Sequence, residues 1–181
     1  LMTASEVPER LREMSFKGYD VGSNHAAVEA VRKLVRDQKS KGLVLTGPPG
    51  VGKTHLGMAL VNNRLILGTA ALYVTAPQLF KSIVASYDTG KYNSLMDNLI
   101  TVDLLMLDDL GVEKTTDNRQ EELFMIINSR VNAGRQMIIT TNLSAADIQD
   151  RYGARILSRL MASCDWYEIK GVDRRLEGKM I

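Results

Sequence analysis

Residues 47–54 read Gly-Pro-Pro-Gly-Val-Gly-Lys-Thr, the spacing G-x-x-x-x-G-K-[ST]. The segment in front, Leu43-Val44-Leu45-Thr46, is an apolar run of strand length. The segment behind, His55 to Leu67, carries Leu56, Met58, Ala59, Leu60, Leu65 and Ile66 at helical spacing. Strand, glycine-rich loop and helix in that order predict a phosphate-binding loop, and with it an α/β fold. Gly50 and Gly52 can take backbone angles closed to other residues and let the chain approach a ligand. The loop from Gly47 through Pro48, Pro49, Gly50, Val51 and Gly52 then wraps an anion at the positive end of the following helix, with His55 in its first turn. Lys53 can reach the β- and γ-phosphates of a nucleotide, and the Thr54 hydroxyl can hold Mg²⁺. The alternative, a Gly-Pro turn with an accidental lysine, fits the flanks poorly.

The rest of the chain repeats the alternation. Residues 70–75, 103–108, 136–141 and 165–169 read as further strands. Helices are predicted over about 76–87, 91–99, 119–133, 144–150 and 151–161. Before the first strand lie a short capped helix over residues 4–14, with Pro8 in its first turn, and a helix from about Asn24 to Gln38. Lys39-Ser40-Lys41-Gly42 reads as a polar turn. This order predicts a five-stranded parallel sheet sandwiched by helices, with ligands beyond the carboxyl ends of the strands. At 181 residues the chain reads as one domain, with residues 1–41 as lead-in helices and residues 42–181 as the nucleotide-binding core.

Leu104-Leu105-Met106-Leu107-Asp108-Asp109 starts about fifty residues after Lys53 and has the form of a second nucleotide-site motif. Asp108 is suited to hold Mg²⁺, directly or through water. Asp109 is suited to orient and deprotonate the attacking water. A solvated turn before Gly111 is the other reading. Many hydrolysing relatives have glutamate at the second position. Aspartate is a methylene shorter, and misplacement by about 1 Å can cost roughly 100-fold in rate, so slow turnover is expected. Asn142, after the strand over 136–141, can hydrogen-bond a γ-phosphate or the attacking water, or simply make a turn.

Arg151, Arg155 and Arg159 recur every four residues and are read as one helix face. Asp147 can pair with Arg151, whereas Arg155 and Arg159 have no acid three or four positions away. The face is either solvated or offers an arginine finger to nucleotide on a neighbouring subunit. Gly171-Val172-Asp173-Arg174-Arg175 adds two cations, one of which can meet the γ-phosphate of its own subunit.

A net charge of +2 is too small to argue by itself for a nucleic acid partner. One cysteine, Cys164, permits no internal disulfide and fits a reducing, cytoplasmic setting. His25 and His55 with that cysteine make no metal-ligand pattern. No apolar run approaches the roughly 20 residues that span a bilayer. The opening Leu1-Met2 suggests a domain excised from a longer protein.

Together, residues 47–54, 104–111, 140–142, 155–161 and 171–175 resemble the AAA+ ATPase module of the DnaC/DnaI bacterial replicative helicase loaders. The resemblance covers nearly the whole chain, including Val7-Pro8-Glu9-Arg10 and Met14-Ser15-Phe16. The transposition helper IstB shares almost all of these motifs. The initiator DnaA is a more distant relative with a helical lid and a DNA-binding domain after the sheet, whereas 39 residues follow Asn142 here, so the lid is expected to be reduced or absent. The resemblance implies ATP and Mg²⁺ as cofactors, Asn142 as sensor 1, Arg159 as the arginine finger and Arg175 as sensor 2, with Arg155 and Arg174 as alternates. It implies self-association through the arginine finger and a replicative helicase as partner. The loaders bind that helicase through an N-terminal region that nothing here matches. It also implies single-stranded DNA, for which Phe80, Lys81, Tyr87 and Lys91 are the candidate contacts, aromatics stacking on bases and lysines meeting phosphates. Core packing for Phe80 and solvation for the lysines is the competing reading. The expected function is loading a hexameric helicase onto single-stranded DNA with slow ATP hydrolysis. The alternatives are an IstB-like transposition ATPase, a nucleotide switch with negligible hydrolysis, and a small-molecule kinase.

Overall fold

A computed structural model describes residues 7–37 and 41–175. Its strands are β1 (Gly42–Thr46), β2 (Ala71–Thr75), β3 (Leu104–Leu110), β4 (Gln136–Thr141) and β5 (Cys164–Glu168). They form one parallel sheet in the order β2-β3-β4-β1-β5. Strands β1 to β4 are apolar at consecutive positions because both faces are covered, whereas the edge strand β5 leaves Asp165 and Glu168 exposed. Leu43 and Leu45 of β1 enter one core with Tyr73, Met106 and Ile138, whereas Val44 enters the other with Leu105, Leu107 and Ile139. The first core is closed by α1 (Glu9–Arg12), α2 (His25–Arg36) and α3 (Lys53–Ile66). The second is closed by α4 (Ala76–Asp88), α5 (Tyr92–Thr101), α6 (Asp117–Asn132), α7 (Ala145–Tyr152) and α8 (Ala154–Ser163).

Pairing brings the carboxyl ends of the strands into one rim. Thr46 lies opposite both Thr141 and Glu168, and Thr75 lies opposite Asp108. The chain after β5 stays on that rim, because the Ile169 amide donates to the Thr46 carbonyl at 2.7 Å. The Asn24 side chain, at the start of α2, exchanges two 2.9 Å hydrogen bonds with the Lys170 backbone. Side-chain caps start three of the five helices on the other face. Thr75 caps α4, Thr116 caps α6, and Ser144 with Asp147 makes a reciprocal capping box on α7.

β3 carries an irregularity that matters for the site. Leu107 pairs with Ile139 and Leu110 with Thr141, so three steps on β3 match two on β4. The extra residue is a β-bulge, which bends a strand and re-aims a side chain. Asp109 sits in it with φ 55, the one positive φ outside glycine among the described residues. Aspartate tolerates this left-handed region better than most residues.

Two expectations are corrected. The helix expected over residues 4–14 is the single turn of α1, begun by Pro8, with residues 4–6 outside the described residues. Residues 39 and 40 of the expected polar turn also lie outside them. The arginines at 151, 155 and 159 do not share one helix. Gly153 has φ 89 and ψ 157, so Arg151 belongs to α7 and only Arg155 and Arg159 to α8. No helix of the described residues is long and apolar enough to cross a membrane.

Candidate functional site

The loop over 47–52 connects β1 to α3 through three glycines with positive φ, Gly47 (136), Gly50 (77) and Gly52 (103). Glycine at 47 is also a packing requirement: a Cβ there would lie 2.3 Å from the Ile169 carbonyl oxygen. The loop borders a cleft of about 330 Å³ lined by Pro49, Gly50, Gly52, Lys53, Thr54, His55, Asp109, Asn142, Arg174 and Arg175, together with Met14 and Val112. Residues from five separated segments thus converge on one rim.

Lys53 is 5% exposed. Its ammonium donates to the carbonyls of Gly47 (2.7 Å) and Pro48 (2.6 Å) and to Asn142 Oδ1 (2.7 Å), so each of its three protons has an acceptor. Burial lowers its pKa from the ordinary lysine value, while the charges of Asp109 and Asp108 act in the opposite sense. A desolvated cation beside a glycine-rich loop at a helix N-terminus is suited to exchange carbonyl partners for the oxygens of an anion.

Asp108 is 2% exposed. Its Oδ1 accepts hydrogen bonds from the hydroxyls of Thr54 (3.0 Å) and Thr140, and its Oδ2 accepts one from Tyr73 (3.2 Å). Burial raises its pKa above the ordinary carboxylate value, and the hydroxyls only partly offset this. Burial and the neighbouring carboxylate likewise raise the Tyr73 phenol. The Thr54 hydroxyl and a buried carboxylate meeting at 3.0 Å are the oxygen pair that Mg²⁺ takes from a protein when water and phosphates fill the rest of its octahedron. No cluster of three or more His, Cys, Asp or Glu suited to a metal occurs among the described residues, and a phosphate-bound Mg²⁺ needs none.

Asp109, half-buried at the bulge, lines the cleft, and its amide donates to Thr140 Oγ1 at 3.0 Å. One hydroxyl, that of Thr140, therefore serves both carboxylate residues. Tyr73 and Thr140 lie in apolar strand runs, and nothing in their local pattern marks them as partners of Asp108. Tyr19 is equally unmarked, and Met14 is marked only as part of the lead-in segment, not as a wall of the cleft. Tyr19 packs beneath the loop, 3.0 Å from where a Cβ on Gly52 would stand and edge-on to His55 at 5.5 Å. His55 Nε2 is spent on the Ser15 carbonyl at 3.0 Å.

The tail arginines divide. Arg174 donates from its backbone to the Gly50 carbonyl (3.2 Å) and from its guanidinium to Asp20, at 2.8 Å to O and 3.1 Å to Oδ2, and it lies over the Tyr19 ring at 5.5 Å. Arg175 is exposed and lines the same cleft, and its charge depresses the Lys53 pKa further. Arg159 is exposed on α8 and does not line this cleft.

Three expectations give way to packing. Arg155 is not left without a partner, since its guanidinium stacks 4.1 Å from the centroid of the Phe124 ring. Asp147 spends its carboxylate on the Ser144 cap, and Arg151 donates to the Glu113 carbonyl. Phe80 is 1% exposed within the second core, so it has no face for a base. Tyr87 is exposed, stacked on Tyr92 at 4.8 Å and bonded to Glu122 at 2.6 Å, and Lys81 and Lys91 are exposed nearby.

Residues 2–180 match the family model described as IstB-like ATP binding protein. Among curated relatives, the chain is 31% identical over 167 residues to the uncharacterized protein YdaV of Escherichia coli strain K12, covering 88% of this chain and 66% of that protein. It is 34% identical over 104 residues to the insertion sequence IS1162 putative ATP-binding protein of Pseudomonas fluorescens, covering 58% and 45%. The chain thus spans two thirds or less of the length of these relatives. Among solved structures, the DnaC helicase loader superposes with a TM-score of 0.80 at 29% identity, covering 90% of this chain and all of that one. DnaI superposes at 0.82 and 28%, covering 93% and 94%. The replication initiator DnaA bound to AMPPCP and single-stranded DNA superposes at 0.82 and 26%, covering 88% and 50%. In fold, the initiator therefore lies as near as the loaders. The fold is that of the AAA+ P-loop ATPases.

Proposed function

The chain belongs to the IstB-like ATP binding protein family, and on that premise we propose that it is a slow ATPase that loads a replicative hexameric helicase onto single-stranded DNA. The observation that carries the nucleotide part is the Lys53 ammonium, buried and shared between the loop carbonyls and Asn142, beside the Asp108–Thr54 pair. In this reading the loop amides and Lys53 bind the β- and γ-phosphates. Thr54 and Asp108 hold Mg²⁺, which when bound neutralises charge on the phosphate oxygens. Asp109 orients the attacking water and takes its proton. Asn142 accepts from Lys53 through oxygen, which leaves its amide nitrogen to donate to the γ-phosphate or the water. Arg175, which lines the cleft, meets the phosphates of its own subunit, and Arg159, exposed and outside that lining, serves a neighbouring copy.

Support for the loader role comes from the DnaC helicase loader, whose whole chain the fold covers. The DnaA complex with single-stranded DNA supports that polymer as second ligand. Lys81, Lys91 and the Tyr87–Tyr92 pair remain the proposed contacts, without Phe80. A transposition role is favoured by the matched family model and the insertion-sequence relative. Capture by a purified replicative helicase, and not by a transposase, supports the first role, and the reverse supports the second. Steady-state turnover is expected below about 10 s⁻¹, the median for enzymes, and a rate well above it contradicts the assignment of Asp109. Unchanged DNA affinity in both Lys81→Ala and Lys91→Ala removes that patch from the proposal.

A further inference from the structure

The turn that follows Asp109 is fastened to the helix pair that bears the arginines. The Val112 amide donates to the Asp109 carbonyl at 3.3 Å, and the Gly111 amide donates to Glu113 Oε2 at 3.1 Å, so residues 109–113 form one compact turn. Glu113 is 6% exposed and Tyr152 3%. The Tyr152 hydroxyl donates to Glu113 Oε1, and the Arg151 guanidinium donates to the Glu113 carbonyl. Gln120 of α6 in turn donates to the Arg151 carbonyl at 2.8 Å. Tyr152 is the last residue of α7, and Gly153 separates it from α8. A Cβ on Gly153 would touch nothing within 4 Å, so glycine there answers to its φ of 89 alone and marks a joint. Beyond the joint, α8 carries Arg155, stacked on Phe124 of α6, and the exposed Arg159.

We infer that Glu113 is a positioning residue that, through Tyr152 and the Gly153 joint, transmits the state of the Asp109 turn to the arginine-bearing helix α8. This rests on the proposed nucleotide site. The Tyr152–Glu113 hydrogen bond is buried, where such a bond is stronger than in water and can carry a displacement. Glu113 is not among the residues that line the cleft, so its role is indirect. It gives the chain a route by which the contents of one cleft set the angle at which Arg159 is offered to the next.

The test is hydrogen exchange with and without AMPPCP and Mg²⁺ in the full chain, in Tyr152→Phe, in Glu113→Ala and in the conservative Glu113→Gln. In the unmodified chain AMPPCP protects residues 47–54 and changes exchange over residues 154–163 by roughly 2- to 30-fold, the range of coupling through packed elements. In Tyr152→Phe and Glu113→Ala the protection at 47–54 persists and the response at 154–163 is lost, while Glu113→Gln keeps part of it. An α8 response of the same size in Tyr152→Phe and Glu113→Ala overturns the inference. So does an effect that raises exchange equally with and without AMPPCP, which marks a structural role only. Absence of protection at 47–54 in the unmodified chain overturns the nucleotide site itself and the inference with it.

Discussion

The Asn142 side-chain oxygen accepts a 2.7 Å hydrogen bond from the Lys53 ammonium, across 89 residues of sequence and two adjacent strands. The contact joins the glycine-rich loop to the end of β4. Asn142→Ala removes one of three acceptors of Lys53 and the donor proposed for the γ-phosphate. Its turnover should fall about 10²-fold, as when one preorganised donor is lost, with nucleotide affinity changed only a few-fold. Single-turnover hydrolysis beside equilibrium binding separates the two, and an equal loss in both contradicts the assignment.

Burial disfavours the charged form of Asp108. Its folded pKa lies above its unfolded value, so the folded protein binds the proton more tightly. The stability from this group is complete below the ordinary carboxylate pKa, 3.8, and is lost as pH rises through the raised folded value. Asp108→Asn removes the charge and keeps an acceptor for Thr54 and Thr140. The nucleotide-free variant should melt about 2–4 °C higher at neutral pH, the scale of ~1 kcal/mol for a chain of this size. It should also lose Mg²⁺-dependent hydrolysis, and the gain should vanish toward pH 4. Melting curves across pH check this, and a lower midpoint at neutral pH contradicts it.

Gly47 and Gly50 answer to different neighbours. A Cβ on Gly47 meets the Ile169 carbonyl at 2.3 Å, and that backbone is tied to β1. A Cβ on Gly50 meets Asp173 Oδ1 at 1.7 Å, the tip of a side chain that can rotate aside. Gly47→Ala should therefore cost about 1–3 kcal/mol of stability. Gly50→Ala should cost less, and part of that cost should be recovered by adding Asp173→Ala. Thermal melts of the three variants decide, and equal losses contradict the distinction.

What was legible in the sequence was local. The loop over 47–54 and the carboxylates at 108 and 109 announce themselves because their chemistry needs those residues at fixed spacing in a strand–loop–helix context. The strands were legible because β1 to β4 each carry an apolar run, and their parallel arrangement follows from the intervening helices. What escaped was non-local or conformational. The four-residue repeat of arginines runs through Gly153, and only its φ of 89 reveals that the helix breaks there. Phe80 and the lysines beside it share a polar-aromatic pattern, but the sheet takes up the Phe80 ring. Tyr19 and Glu113 matter through partners 155 and 39 residues away, Arg174 and Tyr152, with no pattern between them.

The central claim is that a nucleoside triphosphate is gripped by Lys53 at the rim of the sheet. Equilibrium titration of ATP with Mg²⁺ into the unmodified chain and into Lys53→Ala tests it most directly. Binding in the first, weakened about 100-fold or more (~2.7 kcal/mol) in the second, is the result the account predicts. No measurable binding in the first, or equal affinity in both, contradicts it.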